Sequence, residues 1–218
     1  MQPKILPILP KAPDLATKVE VPRLIIGEGS HDAFFLRALL RHCGLGDIQT
    51  GHYGGKDNLR RALAVLRTQT EVALEALGIT ADADDVAADS FQRVCDALEG
   101  KGYTPPSRLG EFSDGKPRVG VFLMPDNVSP GMMETLCLQS VDSDPAVVCV
   151  DQYFKCVAQN TRREPAANKR DKARAHAWLA SQPKPDKHCG LAAEEGYWDF
   201  DSPALEPLRK FVMALDQL

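Results

Sequence analysis

A short acidic run, Asp82-Ala83-Asp84-Asp85, follows the apolar run 72–79 and is the first candidate for chemistry in this sequence. Two Asp side chains one residue apart point to the same side of an extended chain, and they repel each other unless a cation lies between them. A hard divalent cation such as magnesium would remove that repulsion. The same residues would also suit the first turn of a helix, where Asp favours the helix dipole. The run alone leaves both interpretations open.

More carboxylates follow other apolar segments of the chain. They come after the first predicted strand, after the fourth predicted strand, and in the helix that we expect to begin near Pro130: Glu28 and Asp32, then Asp126, then Glu134. Ligands of open parallel sheets bind outside the carboxyl ends of the strands, so this fold would gather these side chains along one edge. The combination favours a metal site over scattered surface charge.

The elements that would position these residues are predicted from apolar patterning. Short apolar runs predict four strands, of which the third is rich in Leu and Ala and would also suit a helix: 23–27, 48–53, 72–79 and 118–124. Apolar residues at helical spacing lie between the strands, and three further helices are predicted over 147–157, 166–179 and 203–215. Strands that alternate with helices imply parallel βαβ units in a covered sheet.

We therefore predict an α/β fold, with a mainly parallel sheet flanked by helices and a helical C-terminal extension. Residues 1–20 are predicted to be an extended arm, because prolines interrupt their apolar pattern. Residues 21–142 are predicted to form the α/β core, and residues 143–218 a helical extension that packs on it.

Composition narrows the class of protein. The chain has 218 residues and a net charge of −4, so its overall charge does not indicate nucleic-acid binding, although a local basic patch would be compatible with it. No apolar stretch is long enough to span a bilayer, and we expect no signal peptide. The six cysteines form no C-x-x-C pair. We expect a cytoplasmic protein with reduced thiols.

Several motifs carry a resemblance to a known family. Glu28-Gly29 after a first strand and Asp82-x-Asp84 after a later strand resemble the Toprim domain of topoisomerases, primases and related nucleases. Other segments resemble a prokaryotic family of uncharacterised Toprim-like proteins, related to the Toprim nuclease half of the overcoming-lysogenisation-defect proteins: Gly54–Asn58, Met124–Asn127, Ser129–Leu136 and Asn168–Ala173. The resemblance extends from Arg23 to the C-terminus.

This resemblance implies a Rossmann-like Toprim core and phosphoryl-transfer chemistry on nucleic acid, DNA in the first place, with Mg²⁺ or Mn²⁺. It implies four metal ligands and two of second rank: Glu28, Asp82, Asp84 and Glu134, then Asp32 and Asp126. In such nucleases two metals can activate a water and stabilise the leaving oxygen. Related nucleases also use a basic residue beyond the core, for which Lys169 and Lys172 are the candidates.

Some features depart from the family pattern. Asp85 is an extra acid that makes the ligand assignment ambiguous. The sequence has no P-loop motif and hence no ATPase of its own, but relatives pair Toprim modules with ATPases, which implies a partner ATPase. Two other functions stay open: a non-catalytic protein of this fold that binds a nucleotide, metal or protein partner, and a nucleotidyltransferase. The sequence leaves the oligomeric state open.

Two basic features have structural and functional explanations of similar weight. The segment 162–174 could contact phosphates, or it could be a solvated helix face with intrahelical ion pairs. Gly54-Gly55-Lys56 could hold a phosphate through backbone N–H groups, although a plain strand-to-helix turn is slightly favoured.

Overall fold

The computed structural model describes residues 19–68 and 72–218, so most of the predicted N-terminal arm lies outside the described residues. Within them the chain forms a parallel sheet with the spatial order β2-β1-β3-β4. Its strands are β1 (Arg23–Gly27), β2 (Ile48–His52), β3 (Ala76–Asp82) and β4 (Arg118–Met124). The predicted α/β class with a parallel sheet flanked by helices is confirmed.

Helices cover both faces of the sheet. In the described part of the chain they are α1 (Ser30–His42), α2 (Leu59–Thr68), α3 (Ala87–Glu99), α4 (Met133–Ser140), α5 (Pro145–Thr161), α6 (Arg170–Leu179), α7 (Cys189–Glu194) and α8 (Glu206–Asp216). Short 3₁₀ turns precede three of them, at Lys56–Asn58, Ala167–Lys169 and Pro203–Leu205. None of the described helices has the length and apolar character needed to cross a bilayer.

The third strand differs from its prediction. It begins at Ala76 rather than Val72 and ends at Asp82 rather than Ile79. Ala76 pairs with Arg23 on one side and Arg118 on the other, and both are the first residues of their strands. Residues before Ala76 therefore have no neighbouring strand to pair with. The position at which the neighbouring strands begin cannot be predicted from the apolar run alone. The later end makes Asp82 itself the last residue of β3.

Alternation along the strands divides the apolar residues between two clusters. Ile25 belongs to the cluster that packs α1, α4, α6, α7 and α8 on one face of the sheet. Leu24 and Ile26 belong to the cluster that packs α2 and α3 on the other face. The first cluster contains both Phe122 and Phe211, whose ring centroids lie 5.6 Å apart. The last helix thus shares a core with the sheet, while a domain boundary near residue 142 stays a prediction.

Replacing Phe211 tests this shared core. We expect Phe211→Ala to lower the free energy of unfolding by about 3–5 kcal/mol, because it removes a buried ring that contacts the sheet. Met213 is on the same helix and is 49% exposed, so Met213→Ala should change stability by less than about 0.5 kcal/mol. Urea denaturation would measure both, and equal unfolding midpoints for the two variants would contradict the packing.

Candidate metal centre

Two of the predicted ligands lie on neighbouring strands at one edge of the sheet. Glu28 directly follows Gly27, the last residue of β1, and Asp82 is the last residue of β3. β1 and β3 pair in parallel, so both side chains lie at the carboxyl end of the sheet. Both residues line the same cleft, which has a volume of about 730 Å³. The topology therefore brings together residues 54 positions apart in the sequence.

Asp32 lies behind these two residues, in the first turn of α1. Its Oδ2 atom accepts a hydrogen bond from the Gly29 N–H at 2.9 Å, and the residue is only 9% exposed. A Cβ atom on Gly27 would lie 2.3 Å from the Asp32 Cβ atom. Glycine at position 27 therefore allows α1 to approach the end of β1 closely enough to bury Asp32 beside Glu28.

The start of α4 completes the acidic cluster. The Met133 N–H donates to Asp82 Oδ1 at 3.1 Å, which fixes the Asp82 carboxyl group against the helix N-terminus. Glu134, the next residue, is only 6% exposed. Its Oε1 atom lies 3.4 Å from Lys172 Nζ on α6. Four carboxyl groups (Glu28, Asp32, Asp82 and Glu134) thus line one small cavity, and we call them the acidic cluster.

Burial and mutual repulsion disfavour negative charge in the acidic cluster. Burial is the main cause that raises the pKa of Asp82 from 3.8 to about 8, and Asp32, Glu28 and Glu134 raise it further. Burial also raises the pKa of Asp32, to about 7, although the hydrogen bond from Gly29 acts to lower it. The pKa of Glu28 is raised for the same main reason. A cation would relieve both the desolvation and the repulsion.

Asp84 lines the cleft together with Glu28 and Asp82, but it does not line the small cavity of the acidic cluster. Its φ of 55° is left-handed, and its backbone exchanges two hydrogen bonds with Gly131, at 3.0 and 2.9 Å. Its carboxylate accepts from Lys56, and from Arg93 at 3.3 Å. Burial alone would raise the pKa of Asp84, but the hydrogen bonds and charges of Lys56 and Arg93 lower it. The backbone at Asp84 is left-handed rather than extended as expected, but Asp82 and Asp84 still line the same cleft.

Asp126 stabilises its own loop. Its Oδ1 atom accepts from the backbone N–H groups of Val128 and Ser129, at 2.9 and 2.6 Å, and its Oδ2 atom accepts from the Ser129 hydroxyl at 2.8 Å. It lines neither the cleft nor the smaller cavity. The structure therefore separates this predicted second-rank ligand from the acidic cluster. Asp85, the extra acid of the motif, is exposed and lines the cleft.

Cations surround the cleft. Lys172 pairs with Glu134, and the exposed Lys169 lines the same wall. Lys56 and Arg170 also line the cleft, and Arg93 reaches Asp84 from α3. The sequence motifs and the basic segment 162–174 indicated Lys56, Lys169, Arg170 and Lys172, whereas Arg93 belongs to no recognisable motif. A floor of carboxylates with a rim of cations suits a phosphate group held through a divalent cation.

The carboxylate oxygens of the cluster are ligands that fit Mg²⁺ or Mn²⁺. Within residues 19–68 and 72–218, however, no three His, Cys, Asp or Glu side chains are grouped so that they could hold a metal ion. Burial is the main cause of the raised pKa values of Asp82 and Asp32, and a divalent cation would offset it. The donor chemistry therefore fits a divalent cation, whereas the present arrangement of the side chains does not yet form its ligand shell.

Comparison with known proteins identifies the family. The family model described as "Protein of unknown function (DUF3226)" matches residues 22–218. The chain belongs to this family. No curated protein matches it. One solved structure, the C-terminal region of the Xanthomonas campestris pv. campestris OLD protein, is similar at 15% identity and a TM-score of 0.39, covering 91% of this chain and 99% of that one. The fold class of the DUF3226 protein rests on its own strand order and register.

The acidic cluster predicts a pH-dependent stability. Asp82 binds its proton more tightly in the folded state (pKa about 8) than at its ordinary value of 3.8. The contribution of Asp82 to the free energy of unfolding is therefore fully present below about pH 4. It is lost as pH rises towards about 8, by at most about 1.4 kcal/mol per pH unit. Without divalent cations, the melting temperature should fall over that interval, and Mg²⁺ should raise it most at the alkaline end.

Asp82→Asn keeps the shape of the protonated side chain, so this variant should lose the part of the pH dependence that Asp82 contributes and most of the Mg²⁺ effect. Asp114→Asn is the matched control, because Asp114 is a fully exposed carboxylate far from the cluster in the loop before β4. Equal pH profiles for wild type and Asp82→Asn in thermal unfolding would contradict the electrostatics.

Proposed function

We propose that this protein is a Toprim-like, metal-dependent nuclease that cleaves nucleic-acid phosphodiesters, with DNA as the first substrate to test. The observation that carries the proposal is the meeting of Glu28 and Asp82 at the carboxyl ends of adjacent parallel strands, with Glu134 buried beside them. A cluster of four carboxyl groups with Lys172 as its paired lysine, inside a cleft with a basic rim, suits a cation and a phosphate together.

The cluster residues would hold Mg²⁺ or Mn²⁺ through Glu28, Asp82 and Glu134, with Asp32 behind them. Asp84 would join this set on leaving its ion pairs with Lys56 and Arg93. When bound, the cation supplies an activated water and stabilises the leaving oxygen. The Met133 N–H orients Asp82 for this role.

The lysines of the rim would bind the substrate phosphates. Lys172 is the stronger candidate for a direct role, because its ammonium group lies 3.4 Å from buried Glu134 at the cluster itself. Lys169 and Arg170 lie further along the same wall and would supply affinity that is independent of nucleic-acid sequence. Because the chain has no P-loop, a motor function would come from a separate partner ATPase.

A second function is favoured by one observation, the pairing of Asp84 with Lys56 and Arg93. Two cations already neutralise this carboxylate, so a protein in which this arrangement persists would bind a metal, nucleotide or partner without cutting a strand. Both functions use the same cleft, and only the nuclease requires turnover.

The double variant Asp82→Ala with Asp84→Ala tests the nuclease. We expect wild-type protein to cut plasmid or single-stranded DNA with Mn²⁺, and the double variant to lose at least about a thousandfold of that rate, because the cation loses its central ligands. Asp114→Asn should cut like wild type. Cleavage that survives in the double variant would refute the site, whereas Mn²⁺ binding by wild type without any cleavage would favour the non-catalytic function.

Paired lysine variants decide between Lys172 and Lys169. Lys172→Met keeps the apolar stem but removes the charge beside Glu134, so we expect kcat/KM to fall about a hundredfold. Lys169→Met should lower it by less than about tenfold, because Lys169 lines the wall of the cleft but not the cavity of the acidic cluster. Cleavage rates would measure the two values of kcat/KM, with melting temperatures as a folding control. A larger fall in kcat/KM for Lys169→Met would indicate that Lys169, and not Lys172, has the direct role.

A further inference from the structure

A second groove lies beside the cleft, between the C-terminal half of α5 and the start of α6. It has a volume of about 550 Å³, within the range of small-molecule sites. Arg170 lines both the groove and the cleft, so the two are neighbours along one surface. A ligand that extends from the acidic cluster along the basic wall would therefore reach the groove.

The groove combines an apolar surface with polar groups. Phe154, Ala158 and Pro165 supply the apolar part, and Gln159 and Glu164 supply hydrogen-bonding groups. Lys155 lines the same groove, and neither its side chain nor that of Arg170 pairs with any described residue. A flat hydrophobic side chain beside hydrogen-bonding groups and free cations is what an unpaired nucleobase and its phosphate require.

The helix that carries Phe154 is held mainly at one end. α5 has 17 residues, but Val150, in its first half, is the only one of them that is buried. Phe154 is half-buried, and its ring lies edge-on to Tyr153 with centroids 5.2 Å apart. Phe154 packs against the apolar core with part of its ring, and the rest of the ring lines the groove.

A chain of polar contacts connects the groove wall to the acidic cluster. Arg174 donates two hydrogen bonds to Asp151, at 2.8 and 3.1 Å, which hold α6 against α5. Arg174 also lies 3.5 Å from Asp171, whose carboxylate accepts from Thr135 at 2.8 Å. Thr135 is in the first turn of α4, next to Glu134. The groove wall and the cluster are thus fixed relative to each other.

We propose that this groove binds the base of a nucleotide adjacent to the phosphodiester held in the cleft, so that the preferred substrate is single-stranded or locally unpaired nucleic acid. This inference rests on the proposed function for the position of the phosphodiester. A base in a duplex is stacked and paired, and it would have to leave the helix to reach Phe154.

Binding rather than cleavage tests the groove, so the two proposals fail separately. The probes are a fluorescent oligothymidylate and a base-free deoxyribose-phosphate oligomer of the same length, each added to the full chain with Ca²⁺. We expect wild type to bind oligothymidylate about tenfold more tightly than the base-free oligomer, since stacking on an aromatic ring contributes roughly this factor per base. Phe154→Ala should bind the two probes equally.

Val148→Ala is the matched control, because Val148 is 58% exposed on the same helix and does not line the groove. Gln159→Trp, which fills the groove from an exposed position, replaces Phe154→Ala if that variant melts early. Equal affinities of wild type for the two probes, no binding of oligothymidylate, or equal losses in the Phe154 and Val148 variants would contradict base binding in the groove. Absence of cleavage by wild type would overturn only the nuclease.

Discussion

The partial burial of the Asp82 carboxyl group beside three other carboxyl groups is the constraint on which the rest of the site depends. Burial and three neighbouring carboxyl groups raise its pKa to about 8, so this part of the fold is least stable when it is fully ionised. Contacts from helices outside the sheet offset part of this cost. The N-terminus of α4 donates a hydrogen bond to Asp82, and Lys172 approaches Glu134 from α6.

Those supporting elements explain why the helical part after residue 143 matters for the site. α6 contributes Lys172 and Asp171, and it is positioned by the ion pair between Arg174 and Asp151 on α5. α4 is fixed in turn by the hydrogen bond from Thr135 to Asp171. The parallel sheet alone would supply only Glu28 and Asp82. The helical segment therefore completes the electrostatics of the cluster.

The sequence predicted β1 and β4 with correct ends, because each is a short apolar run that stops at Gly27 or before Pro125. It also predicted that Glu28, Asp82 and Glu134 would lie near one sheet edge, since parallel topology dictates that. It could not predict the start of β3, which depends on where the neighbouring strands begin. The orientation of Asp84 likewise depends on a left-handed residue tied to Gly131, a contact across 47 positions.

Asp84 also illustrates why residue types alone do not define a ligand shell. Its carboxylate has two cationic partners, Lys56 and Arg93, that come from separate segments and share no motif with it. A cation at the acidic cluster would compete with these two for the same oxygens. If Asp84 moved to the cluster under the proposed function, Lys56 would lose its partner while still lining the cleft, where a phosphate could take the place of the carboxylate. Cation binding and phosphate binding would then favour each other. The cation would neutralise the Asp84 carboxylate, and the phosphate would neutralise the Lys56 ammonium group that Asp84 had left.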